Sequence, residues 1–210
     1  MAERHIVKQG ECIALLAHDR GFFTDTIWDH PENKDLKEKR KNPNILMPGD
    51  VVFIPDKELG EHAAPTENRH TYVLRTVKVK FTLTLLDLGK PRANLKWILK
   101  VDGTQIAEGM TDGKGTLKSD IPANARRGLL LLGDDQEEFD VRFGHVDPID
   151  EICGVQSRLK NLGFYRGEAD NVNGPLTTAA IAEFQRMAEI TGEGKLTDET
   201  RQKLLEFHGS

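Results

Sequence analysis

Only two cysteines, Cys12 and Cys153, occur in the 210 residues, and they fall in different parts of the chain. That excludes a disulfide-stapled framework and reads as two reduced thiols. Cys12 has no His-and-Asn context that would mark a nucleophile. No apolar run approaches membrane-spanning length, so no transmembrane helix and no membrane partner are expected. The opening MAERHIVKQG lacks the hydrophobic core of a secretory leader, so synthesis in the cytoplasm is expected. Neither HExxH nor GxSxG is present, and the seven histidines (His5, His18, His30, His62, His70, His145 and His208) form no metal-spaced pair. His145-Val146-Asp147 comes nearest to a zinc fragment and lacks partners. No deep cleft with an acid and a carboxylate, as a muramidase needs, is foreseen. The expectation is no enzyme, no metal and no cofactor. A net charge of −5 gives no basis for non-specific nucleic-acid binding.

What is present is most legible at the C-terminal end. Val155, Leu159 and Leu162 recur at helical spacing, and Gly163 follows as a stop. A turn-rich loop runs from Arg166 to Gly174. Pro175 sits at the start of a second helix, where its missing N–H costs nothing. Ala180, Ile181, Phe184, Met187 and Ala188 form that helix's apolar stripe. Thr197 is the N-cap of a third helix, with Asp198 and Glu199 in its first turn and Leu204 and Leu205 behind.

The wording LxxLGFYxGxxD, NGPLTxxAIxxFQ and GxLTxxT resembles the peptidoglycan-binding-domain fold over about residues 151–208. Leu159, Leu162, Gly163, Tyr165, Gly167, Asp170, Gly174, Pro175, Thr178, Ala180, Phe184 and Gln185 carry the match. Asn171 replaces a usual glycine, which the tolerance of Asn for a left-handed backbone accommodates. Asn173 replaces a usual apolar residue. The resemblance implies a shallow cleft between the first loop and the second helix, with Tyr165, Asp170, Asn173, Gly174 and Pro175 as contacts. Tyr165 would offer an exposed aromatic face. Asp170 has two readings, a ligand contact or an Asx-type turn that holds the loop.

At the other end, Arg4 to Lys8 reads as a strand and Gly10 as a turn. Ile13, Leu16 and Ala17 form a helix face that ends near Gly21. A second helix starts at Thr24 or Asp25 and holds Ile27 and Trp28. Val51 to Ile54 is a compact strand. The order and the segments HIVKQGECIALLA and PNILMPGDVVFIP resemble the LysM domain, which implies a groove for N-acetylglucosamine-containing glycans. Its contacts would be Gly10, Glu11, Cys12, His30, Asn44 and Ile45. Glu11-Cys12 stands where Asp-Thr is usual, and His30-Pro31 where Asn-Pro is usual. The charged run from Lys34 to Asn42 reads as a solvated loop or extra helical turn, or as a contact to an acidic partner.

Between these ends, residues 58–70 are a linker by composition. Val77, Val79, Phe81 and Leu83 alternate as a half-buried strand, and Lys96 to Val101 repeats the pattern. Asp102-Gly103 is a hairpin turn. Ile106 to Met110, Gly128 to Leu132 and Phe139 to Phe143 are further strands, with a turn at Thr111 to Gly115. The stretch VDGxxxAEGxTDGKGTLxxDIP is similar to transthyretin-like or bacterial Ig-like modules. Asp134, Asp135, Glu137, Glu138 and Asp140 form an acidic tip with no ordered calcium spacing.

The expected architecture is therefore α+β and multidomain. It has a LysM-like βααβ unit over 1–57, a linker over 58–70, a small antiparallel β-sandwich over 71–148, and a three-helix peptidoglycan-binding-like bundle over 149–210. The expected partner is peptidoglycan or another N-acetylglucosamine-containing glycan. The HPEN…KxxRKNPNILMPGDVVFIP and DPIDEICGVQSRLKNLGF segments also resemble components of type VI secretion spikes and related contractile injection machines. That resemblance implies a spike or effector protein as a further partner, with delivery to the periplasm or exterior. A competing reading keeps both folds as structural parts of an adaptor.

Overall fold

The computed structural model describes residues 2–57, 66–69, 71, 78–87 and 89–209. Most of the expected linker, and Val77, lie outside the described residues. The chain is mixed α and β, with small antiparallel sheets and a helical C-terminal region.

The N-terminal part begins with strand β1 (Glu3–Ile6) and closes with strand β2 (Val51–Ile54), paired antiparallel with Glu3 opposite Ile54. Between them lie helices α1 (Ile13–Arg20) and α2 (Thr24–Trp28), a 3₁₀ turn over Pro31–Asn33, and helix α3 (Lys34–Arg40). Gly21 ends α1 in the left-handed conformation, φ 66°. The charged run 34–42 is thus mainly helix. Leu36 turns into the core, and Arg40 is buried against Asp50, whose carboxylate it grips at 2.7 and 2.9 Å. Val7, Ile13, Leu16, Ile27, Trp28 and Val52 pack as one apolar cluster.

The central part contains strands β3 (Lys78–Thr84), β4 (Leu86–Asp87), β5 (Lys90–Pro91), β6 (Lys96–Val101), β7 (Thr104–Met110), β8 (Thr116–Pro122), β9 (Arg127–Leu132) and β10 (Glu137–Arg142). A four-stranded sheet runs β10-β9-β6-β7, and β3 pairs with β8 in a second sheet. Alternate residues of both sheets meet in one core: Val79, Phe81, Leu83 and Leu117 from one, and Trp97, Leu99, Leu130 and Leu132 from the other. Asp102 and Gly103, at φ 49° and 78°, form the β6–β7 hairpin turn in the left-handed pair that matches strand twist. In the acidic tip, Glu137 takes a two-pronged ion pair from Arg92, both bonds 2.9 Å.

The C-terminal part is helices α4 (Ile152–Asn161), α5 (Pro175–Met187) and α6 (Asp198–His208), with Thr197 Oγ1 accepting from the Thr200 N–H as N-cap. Val155, Leu159, Tyr165, Ile181, Phe184 and Leu204 form its core. The three parts touch. Leu86 packs against the C-terminal cluster, and Arg40 Nη1 lies 3.4 Å from Glu151 Oε1. Arg126 donates to the Gly10 carbonyl at 3.3 Å.

Candidate functional site

The loop between α4 and α5 is organised from beneath by Gln156, which is fully buried. Its amide nitrogen donates within a ring of acceptors: Asp170 Oδ1 at 2.8 Å, Thr177 Oγ1 at 2.9 Å, the Val172 carbonyl at 3.1 Å and Tyr165 Oη at 3.2 Å. Its carbonyl oxygen accepts from the Asn171 N–H at 3.0 Å. One side chain therefore ties four points of the loop and the first turn of α5 to α4.

Asp170 plays the Asx-turn part of its two readings. Its Oδ1 accepts the Val172 N–H at 3.0 Å as well as Gln156. The Gln156 amide, and then the Val172 N–H, hold its carboxyl below the ordinary aspartate range. Asn171 adopts φ 61°, and its Oδ1 accepts the Cys153 N–H at 3.0 Å, supplying the first turn of α4 with an acceptor that its own N-cap, Glu151, does not provide.

Tyr165 requires a correction. Its ring is 6% exposed within the C-terminal core, and its hydroxyl donates to the Glu168 carbonyl at 3.0 Å. A tyrosine whose hydroxyl finds a partner at the loop can bury its ring, so the side chain holds the loop and offers no stacking face. What the loop does expose is Val172 and Leu176, 59% and 71% exposed, beside exposed Asn173 and Pro175. Gly174 is the N-cap of α5 and offers no side-chain acceptor, so the first-turn N–H groups beside this lip carry no side-chain cap.

The loop after β1 and the segment before β2 lie side by side, the Ile13 N–H donating to the Pro43 carbonyl at 2.9 Å, but not every residue expected there is open. Gly10, at φ 82°, is buried, and a Cβ there would lie 3.4 Å from His145 Nε2 and 3.5 Å from Arg126 Nη1. The loop after β1 is therefore covered by the central part of the chain, a correction to Gly10 as an exposed contact. Glu11 is engaged within its own loop, accepting from His5 Nε2 at 2.7 Å and the Lys8 N–H at 2.9 Å. Burial works to raise its pKa, but the His5 and Lys8 contacts outweigh it and hold the carboxyl low. Cys12 stands at the N-cap of α1 without a side-chain bond, and burial pushes its thiol up. The ring of His30 accepts the Glu32 N–H at 3.2 Å and lies 4.6 Å from the Phe53 ring, in a separate hollow with Trp28 and Lys37. Asn44 and Ile45 instead line a cavity of about 830 Å³ at the junction of the three parts.

Sequence reasoning missed Gln156 and Arg158 as the buried polar residues of α4. Gln156 lies three residues before Leu159, so a polar residue on the apolar face was the available signal. Arg158 is fully buried and donates to the carbonyls of Asp147 and Gly154, both at 2.8 Å. Burial lowers its pKa to about 10, against the opposing pull of Asp147 and Asp150. Among the described residues, no group of three or more His, Cys, Asp or Glu is placed to hold a metal ion, and no helix is long and apolar enough to cross a membrane.

Three helices surround a pinned loop with an apolar lip. Residues 150–204 match the family described as a putative peptidoglycan binding domain. No curated protein and no solved structure matches the chain.

Proposed function

We propose that the protein is a non-catalytic peptidoglycan-binding protein that engages the wall through the lip at Val172, Asn173, Pro175 and Leu176. The match of residues 150–204 to a peptidoglycan-binding family carries this reading. Val172 and Leu176 would cover an apolar face of the ligand, and the uncapped start of α5 suits the carboxylates of a stem peptide. Buried Tyr165 and turn-forming Asp170 hold the lip in shape and do not themselves contact the ligand. The coverage of Gly10 supports a structural role for the N-terminal part, with no sugar bound there. On the resemblance of its end segments we place the protein as a component or cargo of a contractile injection machine, made in the cytoplasm and carried outward by it.

The test is sedimentation of the full chain with purified sacculi. Retention that survives moderate salt is expected, because apolar cover and neutral hydrogen bonds are weakly screened. Loss of all retention near physiological ionic strength would mean charge alone and refute the reading.

A further inference from the structure

The cavity of about 830 Å³ reaches the α4–α5 loop at Glu168 and Ala169 but is lined by none of residues 172–176, and its walls have an unusual make-up. Every residue from Val79 to Leu86 and every residue from Phe139 to Val146 lines it. Successive side chains of a strand point to opposite faces. A cavity over a sheet face would collect alternate residues, so unbroken runs place this one along the strand edges. Among the described strands, β3 pairs only with β8, and β10 only with β9. Both edges therefore border the cavity with backbone groups that no described strand pairs, and the end of α6 closes one side, Gly209 lying against the Thr82 side chain.

Unpaired edges are templates for another strand, and proteins normally blunt or cover them. Here they flank a floor of Phe81, Leu83, Ile121, Leu130 and Phe143. On the outward side of the edges, Lys80 and Arg142 have no ion-pair partner among the described residues, and Arg142 stands directly across from Arg127 on β9. Asp140 is the opposing charge on that face of β10, while Glu168 in the same lining is already paired with Lys160 at 3.2 Å.

From these observations we infer that the gap between β3 and β10 is a docking slot for an extended segment of a partner protein, which adds as a strand and bridges the two sheets. Its inward side chains are apolar and meet the Phe81–Phe143 floor. Its outward side chains include carboxylates that meet Lys80 and Arg142. Its backbone N–H and C=O groups pair with the two strand edges. The site is independent of the wall-binding lip.

The test uses the full chain and a fluorescent peptide of alternating valine and glutamate, of the usual strand length. Saturable binding is expected, with new hydrogen-exchange protection at β3 and β10 and none at β7, the opposite edge of the larger sheet. The same peptide with its backbone amides N-methylated should not bind, because the strand donors are gone. Arg142→Glu replaces an exposed residue facing Arg127 and leaves the fold intact by circular dichroism. It should weaken the glutamate peptide about tenfold and favour a valine–lysine peptide instead. Sacculus sedimentation should be unchanged in that variant, so failure of the slot and failure of the lip are told apart. Absence of peptide binding, indifference to N-methylation, protection at β7, or displacement of the peptide by a soluble muropeptide would each overturn the inference, the last by giving the slot to a wall fragment.

Discussion

Replacing Gln156 with leucine keeps nearly the volume of a fully buried side chain while removing the amide that joins α4 to the loop. Inside the module the Asn171 N–H, which now donates to Gln156 Oε1 at 3.0 Å, would lose its acceptor. A buried donor left unmade costs about 1–3 kcal/mol. The amide's donations to Thr177 and the Val172 carbonyl, at 2.9 and 3.1 Å, would also go, although each of those groups keeps the other as a partner at 3.2 Å. Such a bond contributes about 1 kcal/mol net. The expected total is about 3–5 kcal/mol, equivalent to roughly a hundredfold to a few-thousandfold faster exchange of protected loop and α4 amides. The assay is hydrogen exchange over residues 152–177 with chemical denaturation of the full chain. Gln156→Glu keeps the acceptor but sets a carboxylate 2.8 Å from Asp170, so it should be destabilised at neutral pH and partly recover as pH falls. A Gln156→Leu protein with wild-type exchange would show that the loop is held by its own turns and not by Gln156.

Other consequences are as direct. Tyr165→Ala should cost about 3–5 kcal/mol as a buried aromatic truncation, and Tyr165→Phe about 1 kcal/mol for the hydroxyl; calorimetry reads both, and a Tyr165→Ala protein of normal stability would return the ring to the surface. Arg40→Met leaves buried Asp50 with only the Met47 N–H at 2.9 Å and the exposed Lys39 Nζ at 3.8 Å, and should cost about 3 kcal/mol. Burial opposes the ionised Asp50, but Arg40 and the Met47 N–H outweigh it, so its folded-state pKa is depressed. The stability it contributes is full above the ordinary aspartate value of about 3.9 and drains away as pH falls through its lower folded-state value. An Asp50→Asn protein should therefore lose part of the acid sensitivity, and identical acid profiles would count against the pair. Burial, with Asp147 beside it, pushes Cys153 up to about 11, and Cys12 is also raised by burial. Thiol reagent at neutral pH should modify both slowly in the native protein and fast in denaturant; rapid native labelling of Cys153 would refute its burial.

The legible parts of the sequence were those governed by local chemistry. Val51–Ile54 was marked by an apolar run bounded by turn residues, Lys96–Val101 by apolar–polar alternation, and the Asp102-Gly103 hairpin by two residues that accept positive φ. Pro175 and Thr197 fixed the starts of α5 and α6. Strand β8 was missed because TLKSDIP mixes charge and proline with few apolar positions, and only pairing with β3 makes it a strand. The candidate sites were less legible, since burial of Tyr165 and of Gly10 depends on residues elsewhere in the chain: Gln156 and Glu168 for one, Arg126 and His145 for the other. Spacing marks which residues share a helix face; it carries no information on what a neighbouring unit lays across them.

The lip at 172–176 is proposed to meet the wall. A soluble muropeptide titrated into the isotopically labelled full chain, followed by amide chemical shifts, tests it most directly. Saturable shifts should centre on Val172, Asn173, Leu176 and Thr177, stay small at Tyr165 and Asp170, and disappear in Val172→Ser/Leu176→Ser while the fold remains intact. Shifts centred on Gly10 to Cys12 or on the β3–β10 gap, or binding untouched by the double substitution, would contradict it.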